Sequence, residues 1–286
     1  MLKLRSYDQI VEELDRLKDI GAELYSVGKS GLGREIYLVT IGKGARRALI
    51  VCRQHGNEPT STEAMMEYAE ELLGREDLLE KVRVSIIPLA NPDGTELYTR
   101  ICSKGRTSII TSFIARSVKP YMGDINRDHK KKKFPETRAI AKAIEQIKPD
   151  VLLDLHNFFP NFEYLMLRRP VHDFCPSIST NPKIKPEIMR KNVKICKIAI
   201  EAVKRIGGNP AEINGLWPSI YRRLLMPSEK VLDTYYSLNH NIPSATFEAI
   251  GGFSLCSRRM EKGKILHKAS TSAVIEELAE DFEEFR

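Results

Sequence analysis

The sequence predicts an α/β fold, a single domain whose central mixed, mostly parallel twisted sheet is flanked by helices. Three observations lead there. Apolar runs of strand length alternate with segments of helical periodicity along the chain. Hydrophobic residues make up 42 % of 286 residues, ample for one large core. No internal repeat, low-complexity tract or linker divides the chain, so residues 1–286 are read as one domain.

Each element has a local reason. Tyr7 to Ile20 is helical by period, with Ile10, Val11, Leu14 and Leu17 on one face. Glu35 to Ile41 and Arg47 to Cys52 are strands on either side of a Gly42-Lys-Gly44 turn. Thr60 to Leu73 is a helix whose Met65 and Met66 are core residues. Val82 to Leu89 is a strand, and Asn91-Pro-Asp-Gly94 is a turn that sets its exit. Thr95 to Gly123 is expected to be irregular and to form part of a cleft wall. Pro135 and Glu136 begin a helix leading to Asp150, since Pro suits the first turn and an acid suits the N-terminal dipole. Asp150-Val-Leu-Leu-Asp-Leu-His156 is a buried strand, Pro170 to Pro186 a second long loop and Pro186 to Ile206 a long amphipathic helix. Ala245 to Glu248 is a buried strand, and the last twenty residues form a helix with an acidic end.

Composition narrows the function classes. No apolar stretch approaches the roughly 20 residues a spanning helix needs, and the charged stretch from Met1 to Leu14 reads as an amphipathic segment without an apolar signal core, so neither a secretory leader nor a long activation segment is expected. Five scattered cysteines, Cys52, Cys102, Cys175, Cys196 and Cys256, suit free thiols in a reducing cytoplasm. The net charge of +7 is concentrated most sharply at His129-Lys-Lys-Lys-Lys133. This run reads as a solvated basic loop, with attraction of acidic substrates as the sharper alternative. Basic and aromatic residues are not interleaved, so neither nucleic acid nor membrane is an expected partner. Oligomeric state is left open.

The chemistry is concentrated at His55-Gly-Asn-Glu58, on the loop leaving an apolar strand. A His and a Glu three apart can close on one metal, and this ligand mix suits Zn²⁺. His156, at the end of its buried strand, is the candidate third ligand. Two His and one Glu leave a fourth position open, as in a catalytic rather than a structural zinc site. One Zn²⁺ per chain is therefore expected.

Four further patterns follow in fixed order: Asn91-Pro-Asp-Gly94, Asp124-Ile-Asn-Arg127, Asp154-Leu-His156 and Ala245-Thr-Phe-Glu248. With these the chain resembles the zinc carboxypeptidases of the carboxypeptidase A/B type, including their bacterial cell-wall and cytosolic relatives, from about residue 20 to about 255. The resemblance implies hydrolysis of the amide bond next to a free C-terminal carboxylate by a zinc-bound water. It also implies that Glu248 is general base and then acid. A buried strand rarely holds an unpaired acid without reason. Asn126 and Arg127 match the pair that holds the substrate carboxylate, for which Arg offers a planar fork. Asp128 stands where the family often has Asn, a departure that alters the pocket's charge.

The resemblance places an Arg near the oxyanion. Arg100, followed by Ile-Cys-Ser, is preferred over Arg106, which lies fifteen residues after Asn91, and Arg116 is the outsider. Tyr221 is favoured over Tyr235 and Tyr236 as the mobile tyrosine. Side-chain specificity falls to Leu232 or Asp233, apolar or basic in preference respectively. The resemblance makes Asp124, two residues before Asn126, the carboxylate expected to support His55, whereas Asp154 is a second nearby acid that a structural alternative turns to the other side of the strand edge. Two other functions remain in view. One is an N-acyl amino acid deacylase of the succinylglutamate desuccinylase/aspartoacylase type, which shares His-Gly-Asn-Glu, an Asn-Arg pair and Asp-Leu-His-Asn. The other is a non-catalytic binding protein on the same fold. The expected partner is a peptide or acyl amino acid with a free carboxylate.

Overall fold

The computed structural model describes residues 4–105, 114–116, 123–158, 172–216, 228–251 and 257–280. Helix α1 (Tyr7–Asp19) opens with a capping box in which Ser6 accepts from the Gln9 main chain and Gln9 reaches back to Ser6. Strands β1 (Glu23–Lys29), β2 (Glu35–Ile41) and β3 (Arg46–Cys52) follow, then α2 (Thr60–Leu73), α3 (Glu76–Leu79), β4 (Val82–Ile87) and α4 (Pro92–Ser103). After a single 3-10 turn at Ile125–Arg127 come α5 (Pro135–Ile147), β5 (Val151–Phe158), β6 (Phe174–Ser177) and α6 (Pro186–Arg205). Helix α7 (Leu232–Asn239), strand β7 (Ser244–Ile250) and helix α8 (Ser257–Glu280) complete the order. Among the described residues, no helix is long and apolar enough to cross a membrane.

The seven strands form one mixed sheet in the order β1-β2-β4-β3-β5-β7-β6. Its centre is parallel, through β4 with β3, β3 with β5 and β5 with β7. Both flanks are antiparallel, through β1 with β2, β2 with β4 and β6 with β7. The expected parallel character therefore holds for the buried centre only. Strands β1 and β6 were not expected. The first is mostly exposed along its length and the second has four residues, so neither carries a strong apolar signal. Strands β2 and β3 are consecutive but lie on either side of β4. The link between them runs close over the start of β4: a Cβ on Gly44 would lie 2.0 Å from the Lys81 carbonyl carbon, so only glycine fits.

Asn91-Pro-Asp-Gly94 is more than a turn. The Asn91 side chain accepts from Gly94 N at 2.9 Å and Pro92 takes the first helical position, so the motif starts α4. Helix thus takes in the expected turn from Pro92 and replaces the expected irregular chain from Thr95 to Ser103.

Strand β5 is buried along its whole length and sorts the core by its two-residue period. Val151, Leu153 and Leu155 join the larger core with α1, α2, α6 and α8. Leu152 joins the smaller core with α5 and α7. The same alternation sends Asp154 and His156 to one face. The neighbours of β3, strands β4 and β5, lie on opposite sides of it, so the crossover connections diverge there. A crevice at the carboxyl ends of such strands is where open α/β sheets take their ligands.

Candidate metal centre

The loop leaving β3 is shaped by close packing. Arg53 adopts a positive φ of 56°, a conformation that bulky residues rarely hold. Its carbonyl accepts from Asn91 N at 3.1 Å, and the Asn91 side chain donates to Gln54 O at 3.2 Å. Gly56 backs onto the start of α4, where an added Cβ would lie 2.1 Å from the Gly94 carbonyl carbon. The loop then turns so that Glu58 N donates to His55 O at 3.1 Å, which brings both side chains to one side.

Three buried groups converge there. His55 Nδ1 lies 2.9 Å from Glu58 Oε1, and His156 Nδ1 lies 2.8 Å from Glu58 Oε2. The two Nδ1 atoms are 3.1 Å apart. Each ring turns its other nitrogen to a carboxylate: His55 Nε2 to Asp124 Oδ1 at 3.0 Å, and His156 Nε2 to Asp154 Oδ2 at 2.9 Å. Each ring thus faces carboxylates on both sides; a cation held between the two Nδ1 atoms and Glu58 would place each ring proton on Nε2, toward Asp124 and Asp154, and leave each Nδ1 a lone pair. Two lone pairs and a carboxylate that meet within van der Waals contact stabilise a cation between them. Their spacing suits ligands that share one zinc ion at about 2 Å each. His55, Glu58 and His156 fit a single zinc ion in donor type, separation and burial. Asn157 N adds a bond to Glu58 Oε2 at 3.2 Å, which orients the carboxylate.

The electrostatics agree. Burial opposes charge on Glu58, but His55 and His156 outweigh it and hold its carboxyl well below the usual range. Burial likewise opposes charge on His156, yet Asp154 and Glu58 hold its pKa well above the ordinary imidazole value. The raised His156 pKa marks a place where positive charge is stabilised, and the lowered Glu58 pKa keeps that carboxylate ionised. Asp124 is also held far below the carboxylate range, as His55, Arg116 and Arg127 overcome its desolvation. Glu248 moves the other way: burial, aided by Glu58, pushes it up to about 7 against the pull of His156, Arg116 and His55.

The residues singled out by sequence fall into three groups. Close to the ligands are Glu248, Asp124 and Asn126. Glu248 is the parallel-sheet partner of His156, one strand over on β7 and on the same face. The Asn126 amide points inward: Nδ2 donates to Asp154 Oδ2 at 3.4 Å, and Oδ1 accepts from Leu232 N at 3.0 Å. Arg127 is exposed beside it and donates to the Asn126 carbonyl at 2.6 Å. Away from the ligands is Arg100. Its side chain is 63 % exposed and pairs with Glu96 one turn back on α4, at 3.8 Å. The expected preference for Arg100 over Arg116 finds no support in this placement, because the outsider Arg116 is the one that reaches in. Its guanidinium lies 3.2 Å from Glu58 Oε1 and 3.6 Å from Asp124 Oδ2. Arg106 and Tyr221 lie outside the described residues. Leu232 is packed in the smaller core. Asp233 is buried, and desolvation together with the charge of Asp154 pushes it up to about 6 against bonds from Thr234 and Thr246.

Sequence reasoning also undervalued Asp154, Gln54 and His129. Asp154 faces the site and not the far side of the sheet. The signal was present, since residues two apart in a strand share a face and Asp154 precedes His156 by two. Gln54 and His129 had no such signal.

A family model described as zinc carboxypeptidase matches residues 7–164, more than half of the chain. Carboxypeptidase 2 of Trichophyton rubrum is 30% identical over 108 residues, 36% of this chain and 17% of that protein. The chain thus spans under a fifth of the length of the fungal relatives it matches. Among solved structures, a metallo-carboxypeptidase from Pseudomonas aeruginosa, in complex with (2-guanidinoethylmercapto)succinic acid, superposes with a TM-score of 0.71 at 17% identity, over 99% of this chain and 70% of that one. Carboxypeptidase A from Helicoverpa armigera gives 0.73 at 16% identity, over 98% and 75%. At these identities the likeness is one of fold.

Proposed function

Because the chain belongs to the zinc carboxypeptidase family, we propose that it is a metallocarboxypeptidase that hydrolyses the amide bond next to a free C-terminal carboxylate of a peptide. The observation that carries this reading is the meeting of His55, Glu58 and His156 on one point with Glu248 beside them in sheet register. Zinc held by these three residues supplies the Lewis acidity that activates water at neutral pH.

The chain's own groups do the rest. Glu248, poised near neutrality by burial, takes a proton from the attacking water and returns it to the leaving amine. Arg116 reaches the ligand carboxylate with its guanidinium and is assigned to the negative charge that develops on the carbonyl oxygen. Arg127, exposed at the rim, is assigned to the substrate's terminal carboxylate through its planar fork. Asn126 joins it only by turning its amide away from Asp154. Arg106 and Tyr221 keep their proposed substrate-facing roles. A reducing compartment such as the cytoplasm is part of this reading and rests on the scattered, odd-numbered cysteines of the sequence.

The test is kcat/KM for matched peptides with free and amidated C-termini, beside N-acyl amino acids, with the zinc-loaded protein and Arg127→Ala. The free-acid peptide should be cleaved and the amide should not, and Arg127→Ala should erase that difference while its zinc content stays normal. Preference for N-acyl amino acids would favour the deacylase reading, and no turnover of any substrate would favour a binding protein.

A further inference from the structure

Behind His156 stands a line of polar groups that the reaction does not use. Gln54, His129 and Asp154 are each 0 % exposed. Gln54 Nε2 lies 2.8 Å from both carboxylate oxygens of Asp154. Gln54 Oε1 lies 2.8 Å from His129 Nε2. Asp154 in turn meets His156 Nε2 at 2.9 Å. The donors are decided by what each group can offer. A carboxylate accepts, so Gln54 presents its amide nitrogen to Asp154. Its carbonyl oxygen then faces His129, which must donate from Nε2. The His129 Nδ1 atom has no partner among the described residues, consistent with a ring that carries its only proton on Nε2.

We infer that His129 and Gln54 are positioning residues: the His129 Nε2 proton fixes the Gln54 amide, which holds the Asp154 carboxylate in the plane that locks His156 with Nδ1 toward the metal. This has a function only if His156 is a ligand, as proposed above. Two features support it. The line has a fixed polarity, since a flipped Gln54 would set its carbonyl oxygen against Asp154 and its amide against a donor. The His129 ring is also anchored, because its main-chain N donates to Lys230 O at 3.1 Å and its ring lies T-shaped to Tyr236, with centroids 6.3 Å apart. His129 heads the lysine run, yet it is turned into the protein while Lys130 is exposed and pairs with Glu229. Outer groups that orient metal-binding histidines typically change metal affinity by about 10–100-fold.

The experiment uses the whole chain and zinc itself. Zinc affinity is measured by chelator competition for the parent protein, His129→Phe, His129→Gln, Gln54→Leu and His156→Ala, with circular dichroism to verify folding. His129→Phe and Gln54→Leu should weaken zinc binding by about 10-fold or more, and His129→Gln, which keeps a donor near the Nε2 position, should restore most of it. Long-range ¹⁵N spectra of the metal-free parent should show His129 as the Nε2–H tautomer, a readout that packing alone does not dictate. If His156→Ala loses zinc but the folded His129→Phe and Gln54→Leu proteins bind it as tightly as the parent, the relay is wrong and the metal site stands. If His156→Ala keeps its zinc, the site reading fails and the relay falls with it. An Nδ1–H tautomer at His129 overturns the inference even if the variants do not fold.

Discussion

His55 gives its Nε2 proton to Asp124 at the rim of the cleft, and His156 gives its own to Asp154 in the floor of the sheet. Asp124 is 29 % exposed, sits on a loop and shares its charge with Arg116. Asp154 is fully buried on a central strand and is held by Gln54 and Asn126. The rim brace is a charge cluster that water can relieve. The floor brace is a closed hydrogen-bond network, and an unpaired group there has no such relief. The same geometry thus serves the metal on both sides, but its energetic consequences differ.

The largest effect comes from removing a ligand. His156→Ala and His55→Ala should each lower zinc affinity by more than about 100-fold, read by metal analysis after dialysis. Retention of zinc by either variant would remove that residue from the site. Next is Glu248→Gln, which touches neither brace. It should keep its zinc and lose turnover by a factor of about 10² or more, whereas near-normal kcat would end its assignment as acid/base.

The braces themselves separate on stability. Asp154→Ala strands the Gln54 amide and the His156 proton in a dry interior and should cost about 2–4 kcal/mol in denaturant unfolding of the metal-free protein. Asp124→Ala should cost about 1 kcal/mol, and less in high salt. Equal losses would mean that rim and floor are not distinct.

The last effect is a pH slope, spread over more than two pH units. Burial pushes His129 down to about 4, although Asp154, Asp128 and Asp124 pull it up. Its folded pKa lies below the unfolded value near 6.5, so the unfolded chain binds the proton first. Stability is whole above about pH 6.5 and is lost as pH falls toward 4, by up to roughly 1.4 kcal/mol per unit. His129→Gln should flatten that part of the unfolding profile, and an unchanged slope would show that His129 is not buried and neutral.

What was legible in the sequence was local. The spacing of His55 and Glu58, the apolar run that ends at His156 and the first-turn Pro135 each act within a few residues, where backbone period alone decides which side chains meet. Asp154 was legible by the same period. The family pattern adds Glu248, because motif order carries what spacing cannot. Three matters were decided only by the tertiary structure. Arg116 reaches Glu58 whereas Arg100 lies on the outer face of α4, and α4 itself was hidden behind its start motif. The edge strands β1 and β6 are too exposed or too short to show a buried alternation. Gln54, His129 and Asp154 are far apart in the chain, and each alone reads as an ordinary polar residue. The cost of burying polar groups unpaired, which makes their meeting specific, exists only once the sheet has closed over them.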